Sequence, residues 1–285
     1  MSKARFEEFL SDGYYYGVEA TLLHCVQSDY QLIEVLQHPH FGHLLRIDGA
    51  LQCSEADEAC YHEPLVHMVM AHSRDRARVL IVGGGDGGAA EEVLKWPCVQ
   101  SLQHVELDPE VLHLSRQYLR NIHHGLLDEH QTLDARYTLS ISDGLAHIAR
   151  LQRDGATLDA LILDLTDPGG PSLPLWSSDF FARCAQVLGP NGVMGLHVGA
   201  PWAQSARCDH ILAALRRNFA QVTPFITSIP VSGGPWMMAM ASGLQAPSML
   251  DESQLQRKLQ TLQGEPLSIV DGRILRAMVG LAHRR

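Results

Sequence analysis

Five carboxylates stand where apolar runs of this chain end, and their placement suggests chemistry on a cation. Asp86 sits inside the glycine turn Gly83-Gly84-Gly85-Asp86-Gly87-Gly88, directly after the run Val79-Leu80-Ile81-Val82. Gly83 and Gly85 let backbone approach a ligand closely because no Cβ intervenes. A carboxylate at the start of the helix that follows suits the local dipole but would repel a phosphate. The ligand expected at this turn is therefore a nucleoside carrying positive charge and not a dinucleotide pyrophosphate. Glu106 follows the turn by roughly 20 residues, a separation at which an acidic side chain accepts both hydroxyls of a ribose. It can equally be read as an N-terminal helix charge, since Asp108-Pro109-Glu110 opens a helix. Asp143-Gly144 follows the run Tyr137 to Ile141. Asp143 suits either an adenine amino group or a helix cap before Leu145. Asp164 and Asp167, three residues apart beyond Leu158–Leu163, can converge on one cationic group; the plain alternative is an Asx turn before Pro168. Asp86, Asp164 and Asp167 crowding one sheet edge favours the cationic partner.

The elements that position these groups follow from periodicity. From Val18 to Cys53 the pattern is strand-like, with runs at 19–27, 31–37, 41–47 and 50–53 and an Asp48-Gly49 hairpin signal. Residues 57–73 read as a helix. Beyond it, strands at 77–82, 101–106, 137–142, 158–163, 192–198 and 236–242 alternate with helices at 88–95, 109–120, 145–152, 178–188, 204–217, 251–263 and 272–282. Such alternation implies an α/β fold, a largely parallel sheet covered on both faces, preceded by a small antiparallel β-domain. The division falls between residues 1–56 and 57–285. The Pro/Gly-rich stretch Asp167–Pro174 reads as a long loop of the kind that closes active sites.

Composition narrows the partners. A chain of 285 residues with 46% hydrophobic content holds one large core and a small second unit. A formal net charge of −10 argues against nucleic acid. Six cysteines without a CxxC pair read as reduced thiols of a cytosolic protein. The N-terminus lacks a signal-peptide core, and no apolar run is long enough to span a membrane. His62, His67 and His72 are five apart and share no helix face, and no metal-ligand spacing appears among the 16 histidines, so no metal is implied.

Taken in order, Tyr30-Gln31, Asp48 to Cys53, Asp57-Glu58 with Tyr61-His62-Glu63, Gly83 to Gly88, Val105 to Asp108, Asp143-Gly144 and Asp164 to Pro168 resemble the polyamine aminopropyltransferases, the spermidine synthase family, over most of the chain. The resemblance implies a Rossmann-like, methyltransferase-type domain behind the β-domain, a cytoplasmic homodimer or homotetramer, and a transferase of polyamine biosynthesis. Decarboxylated S-adenosylmethionine would be the co-substrate, with no cofactor. Glu106 would hold its ribose, Asp143 its adenine, Gln31 and Gln52 the nucleoside or its thioether side, and Asp86 the amine of its aminopropyl arm. Asp164, assisted by Tyr61, would orient and deprotonate the attacking amine. His62 and Asp167 would line the acceptor channel, with 168–175 closing over it.

Departures from the family pattern gather on the acceptor side. Glu91-Glu92 stand where an arginine is usual, Ile229 to Trp236 contains no tyrosine, and Gly199-Ala200-Pro201-Trp202 lacks the usual acidic or amide residue. Putrescine is the default acceptor, with another amine open. Two rivals remain: a methyltransferase using intact S-adenosylmethionine, and a noncatalytic polyamine-binding homologue.

Overall fold

The apolar run ahead of the glycine turn becomes the middle of a sheet because it is buried on both faces. In the computed structural model, which describes residues 3–73, 78–128, 134–243 and 249–282, this run is strand β6 (Arg78–Gly83). Ala77, the expected first residue of that strand, lies outside the described residues. A seven-stranded sheet is assembled from β6, β7 (Ser101–Glu106), β8 (Tyr137–Ile141), β9 (Leu158–Asp164), β10 (Leu188–Gly199), β11 (Gln221–Ile229) and β12 (Gly234–Ser242), in the order β11-β12-β10-β9-β6-β7-β8. The five strands from β10 to β8 run parallel, and β12 and β11 extend the edge antiparallel. The chain leaves β6 in one direction to form β7 and β8, then returns to lay β9 on its other side. The carboxyl ends of β6 and β9 therefore flank the switch point where open α/β sheets bind ligands.

Helices cover both faces. On one side lie α1 (Ala59–His72) and α2 (Gly88–Leu94), with the C-terminal pair α8 (Glu252–Leu259) and α9 (Gly272–Ala282). On the other lie α5 (Gly144–Arg153), α6 (Ser178–Val187) and α7 (Ser205–Asn218). The connections after β7 form α3 (Pro109–Tyr118) and the short α4 (Arg120–His123). Ahead of this unit stands a five-stranded antiparallel sheet, β1 (Lys3–Ser11), β2 (Tyr14–Gln27), β3 (Leu32–His38), β4 (Gly42–Ile47) and β5 (Ala50–Ser54), paired in chain order. The β4–β5 hairpin turns at Asp48 and Gly49, both with positive φ, as the Asp-Gly signal required. A separate core of Ile33, Val35, Leu45 and Ile47 against Val111, Leu114 and Ile122 clamps this sheet onto α3 and α4.

Two strands went unforeseen. β1 turns Phe6, Glu8 and Leu10 inward and Arg5, Glu7 and Phe9 outward, so a charged residue on the inner face and an aromatic on the outer one concealed its alternation. β11 contains Pro224, which removes one backbone donor and is tolerated because β11 is an edge strand. The segment expected as a loop after Asp167 winds into a 3₁₀ turn over Gly170–Trp176. Glu92, in the stretch without the usual arginine, is buried, accepting a hydrogen bond from Lys95 and sharing one with His67.

Candidate active site

One cleft of about 1140 Å³, partly open to solvent, lies over the carboxyl ends of β6 and β9. Gln31, Gln52, Tyr61, Gly83, Gly85, Asp86, Glu106, Asp143, Gly144, Asp164 and Asp167 all line it. The residues therefore come together although they span more than a hundred positions.

Asp164 ends β9 in register with Gly83 on β6. Tyr61, from the first turn of α1, donates its hydroxyl to Asp164 Oδ1 at 2.7 Å, while Oδ2 is buried with no hydrogen-bond partner. Burial first, and then the negative Asp86 nearby, push this carboxyl up to about 6. Asp86 goes the other way. Burial alone would raise it, but the His62 imidazolium and the amide of Gly88 (2.8 Å) outweigh that and hold it below the usual carboxylate range. One carboxylate is thus kept ionised beside another poised to exchange a proton, the pattern that separates a binding group from a base.

His62 does not line the channel, contrary to expectation. It is fully buried behind Asp86, its Nδ1 2.8 Å from Glu58 and its Nε2 3.4 Å from Asp86 Oδ1. Burial opposes its charge, yet two flanking carboxylates raise it well above its ordinary value. The spacing Glu58–His62 places both on one face of α1, so the histidine can pair only inward. His62, Asp86 and Asp164 each offer a ligand atom within 4.8 Å of one another. His62, held positive by its two flanking carboxylates, compensates part of the negative charge of this group.

Glu106 ends β7, accepts the amide of Asp108 at 2.9 Å, and is pushed by burial to about 7. The helix-opening role belongs to its neighbour Asp108, which caps α3. Gln31 donates to Asp108 at 3.1 Å, and Gln52 donates to the Ala50 carbonyl, so the β-domain supplies one wall. Asp143 caps α5 through the amide of Ala146 at 2.7 Å, and it also lines the cleft.

Asp167 does not converge with Asp164. Its two oxygens are taken by Arg207 from α7, at 2.5 Å each. Residues that sequence reasoning missed are Glu8, Tyr16, His197, Arg207 and Trp236. Glu8 lines the cleft from β1, accepts from Tyr16 (2.6 Å) and the Leu51 amide (2.7 Å), and is pushed by burial to about 7. Its inward phase with Phe6 and Leu10 was the available signal. The segment without a tyrosine receives one from the other domain, since the Tyr16 ring packs on Gly233.

Fold and site together define a Rossmann-like α/β protein with a carboxylate-lined cleft at the switch point of its sheet. Residues 58–250 match the spermine/spermidine synthase domain, and residues 6–55 match the spermidine synthase tetramerisation domain. The chain is 38% identical to a polyamine aminopropyltransferase of Nitrosomonas europaea, over 81% of this chain and 69% of that one. It is 31% identical to that of Pyrobaculum calidifontis, over 94% and 92%. Among solved structures, a spermidine synthase in complex with the transition state analogue AdoDATO superposes with a TM-score of 0.85 at 23% identity, covering 97% of this chain and 91% of that one. The spermidine synthase of Thermotoga maritima superposes at 0.84 and 24%, covering 97% and 90%. The chain belongs to the spermine/spermidine synthase family.

Proposed function

We infer that this chain is an aminopropyltransferase, moving the aminopropyl group of decarboxylated S-adenosylmethionine to an amine acceptor and releasing methylthioadenosine. The observation that carries the chemistry is the pair Asp86 and Asp164 at the switch point, one held ionised and the other poised near pH 6 with an open buried oxygen. Family membership supplies the class of reaction, and this pair supplies its means.

Donor and acceptor take opposite ends of the cleft. Glu106 receives the ribose hydroxyls, Asp143 and Gly144 face the adenine, and Gln31 and Gln52 close the side of the nucleoside. Asp86 receives the ammonium of the aminopropyl arm. A free alkyl ammonium has a pKa of about 10.4, so the acceptor arrives protonated and cannot attack. Asp164 attracts it, and Tyr61 holds the carboxylate in line. As the Gly170–Trp176 turn closes and water leaves, the positive His62 and the donor sulfonium lower the amine's hold on its proton, which passes to Asp164. The nitrogen lone pair then forms the bond to the carbon beside sulfur. The C–S bond breaks, and its electron pair stays on sulfur as the neutral thioether. Holding nucleophile and carbon in line supplies much of the acceleration. No step calls for a metal or cofactor; chelator in the assay is expected to leave turnover intact.

The β1–β2 hairpin exposes Phe9 (69%) and Tyr15 (54%) within the tetramerisation match, which supports a homo-oligomer, dimer or tetramer. Among the described residues no helix is long and apolar enough to cross a membrane. The test is a screen of amine acceptors with decarboxylated donor, following methylthioadenosine release and product mass. Absence of release with every amine would leave only the binding reading. Tighter binding of the intact, carboxylate-bearing donor would favour the methyltransferase reading, since Asp86 faces that carboxylate.

A further inference from the structure

The acceptor end of the cleft contains an ion pair that the reaction does not use. Arg207 sets Nη1 2.5 Å from Asp167 Oδ2 and Nη2 2.5 Å from Asp167 Oδ1. Such a fork takes one lone pair on each carboxylate oxygen and sets a fixed positive charge against the carboxylate, so a second cation gains little there. The pair is built in. Arg207 lies in the first turn of α7, where a cation opposes the helix dipole, so local helix energetics do not account for it. Gly199 lies against the guanidinium at ordinary contact distance, and its own need for glycine comes from a φ of 127° and from Gln204, whose Oε1 would stand 2.8 Å from a Cβ there. His197, with Nδ1 3.9 Å from Asp167 Oδ1, donates through Nε2 to the Leu165 carbonyl at 2.7 Å, which fixes its ring beside the pair.

Three carboxylates therefore surround this end of the cleft, and the chain neutralises one of them itself. Asp164 remains for the attacking nitrogen. Glu8 remains for one further ammonium, since both of its recorded partners use Oε2. A diamine is satisfied by these two. A triamine brings one more ammonium, and the carboxylate left for it is already charge-compensated by a guanidinium that would stand beside that ammonium as a like charge. Selectivity of this kind works by repulsion as much as by attraction.

We propose that Arg207 is a specificity-determining residue that closes Asp167 to substrate and so restricts the acceptor to diamines over triamines. This rests on the aminopropyl-transfer reading above. The full chain is assayed at saturating decarboxylated donor with putrescine and with spermidine, for the natural sequence and for Arg207→Gln, Arg207→Lys, Asp167→Asn and the double variant. The natural sequence is expected to favour the diamine at least tenfold in kcat/KM, and Arg207→Gln to shift that ratio toward the triamine by about tenfold. Asp167→Asn is expected to lower diamine kcat/KM about tenfold, because the guanidinium is left unpaired beside an ammonium; adding Arg207→Gln recovers most of that loss. A natural preference for the triamine, an unchanged ratio in Arg207→Gln, or a double variant no better than Asp167→Asn overturns the proposal. The last result would make Asp167 itself an amine ligand. Should Arg207→Gln fail to fold, Arg207→Lys decides: it keeps the charge, so retention of the diamine preference supports the proposal and its loss overturns it. Failure of the reaction reading gives a different result, no methylthioadenosine from the natural sequence with either amine.

Discussion

Tyr61 and Asp164 are joined by a 2.7 Å hydrogen bond that links the first turn of α1 to the end of β9, 103 residues away. The phenol occupies one carboxylate oxygen and fixes the direction of the other. Because burial raises the phenol's own pKa well above its ordinary value, it stays a donor across the working pH range.

Asp164→Asn removes the proton acceptor while keeping the shape. Turnover is expected to fall by about 10³-fold or more, in the range that general bases contribute, with donor affinity changed less than threefold. Methylthioadenosine release and equilibrium binding of the donor check the two halves. A variant that keeps a tenth of the natural rate would remove Asp164 from the chemistry.

The pH profile follows from the same residue. With Asp164 at about 6, kcat/KM should decline as pH falls through that value, because the protonated acid cannot accept the amine's proton. Tyr61 favours the ionised form through its hydrogen bond, so Tyr61→Phe is expected to move the acidic limb upward and lower kcat about tenfold. An unmoved limb in this variant would assign the titration to another group.

Glu106 sets donor binding against stability. Burial raises its folded pKa from 4.5 to about 7, so between those values the folded state binds more protons than the unfolded chain. Stability therefore falls as pH rises through this window, by on the order of 3 kcal/mol for this residue. Glu106→Gln should raise the Tm at pH 8 by roughly 5 °C and change it little at pH 4.5, while donor KM rises about a hundredfold. Equal Tm shifts at both pH values would contradict the assignment.

Gly88→Ala tests the packing behind Asp86. A Cβ at this position would stand 2.3 Å from the buried His62 ring, which has no room to withdraw. A loss of about 2–4 kcal/mol is expected, read as a lower midpoint in denaturant, together with weaker donor binding as the His62–Asp86 pair is displaced. Full stability would show that the ring is free to move.

Much of the donor half was legible in the chain because its signals are local. A strand, a glycine turn and a carboxylate lie within a dozen residues, and Glu106 follows at a spacing the βαβ unit dictates. The acceptor half was less so, since its partners meet only through the fold. Nothing near Asp167 announces Arg207, forty positions on and looking like an ordinary helix charge. His62 misled for a related reason: its motif placed it near the site but not behind Asp86, a distinction of helix rotation that needs Glu58 as reference. β1 and β11 escaped because a charged residue on the inner face and a proline mask the alternation that marks better-buried strands.

The division of the cleft between two sources has a consequence for how such proteins diversify. On the proposed assignment the nucleoside rests on strand ends that the sheet cannot shift without losing its order. The attacking nitrogen, on the same assignment, also rests on a strand end, Asp164, and only the far end of the amine is bordered by a β1 residue, Glu8, and a helix side chain, Arg207, that can be exchanged singly. A single exchange at Glu8 or Arg207 would then change which nitrogen compound is accepted while the leaving group stays the same.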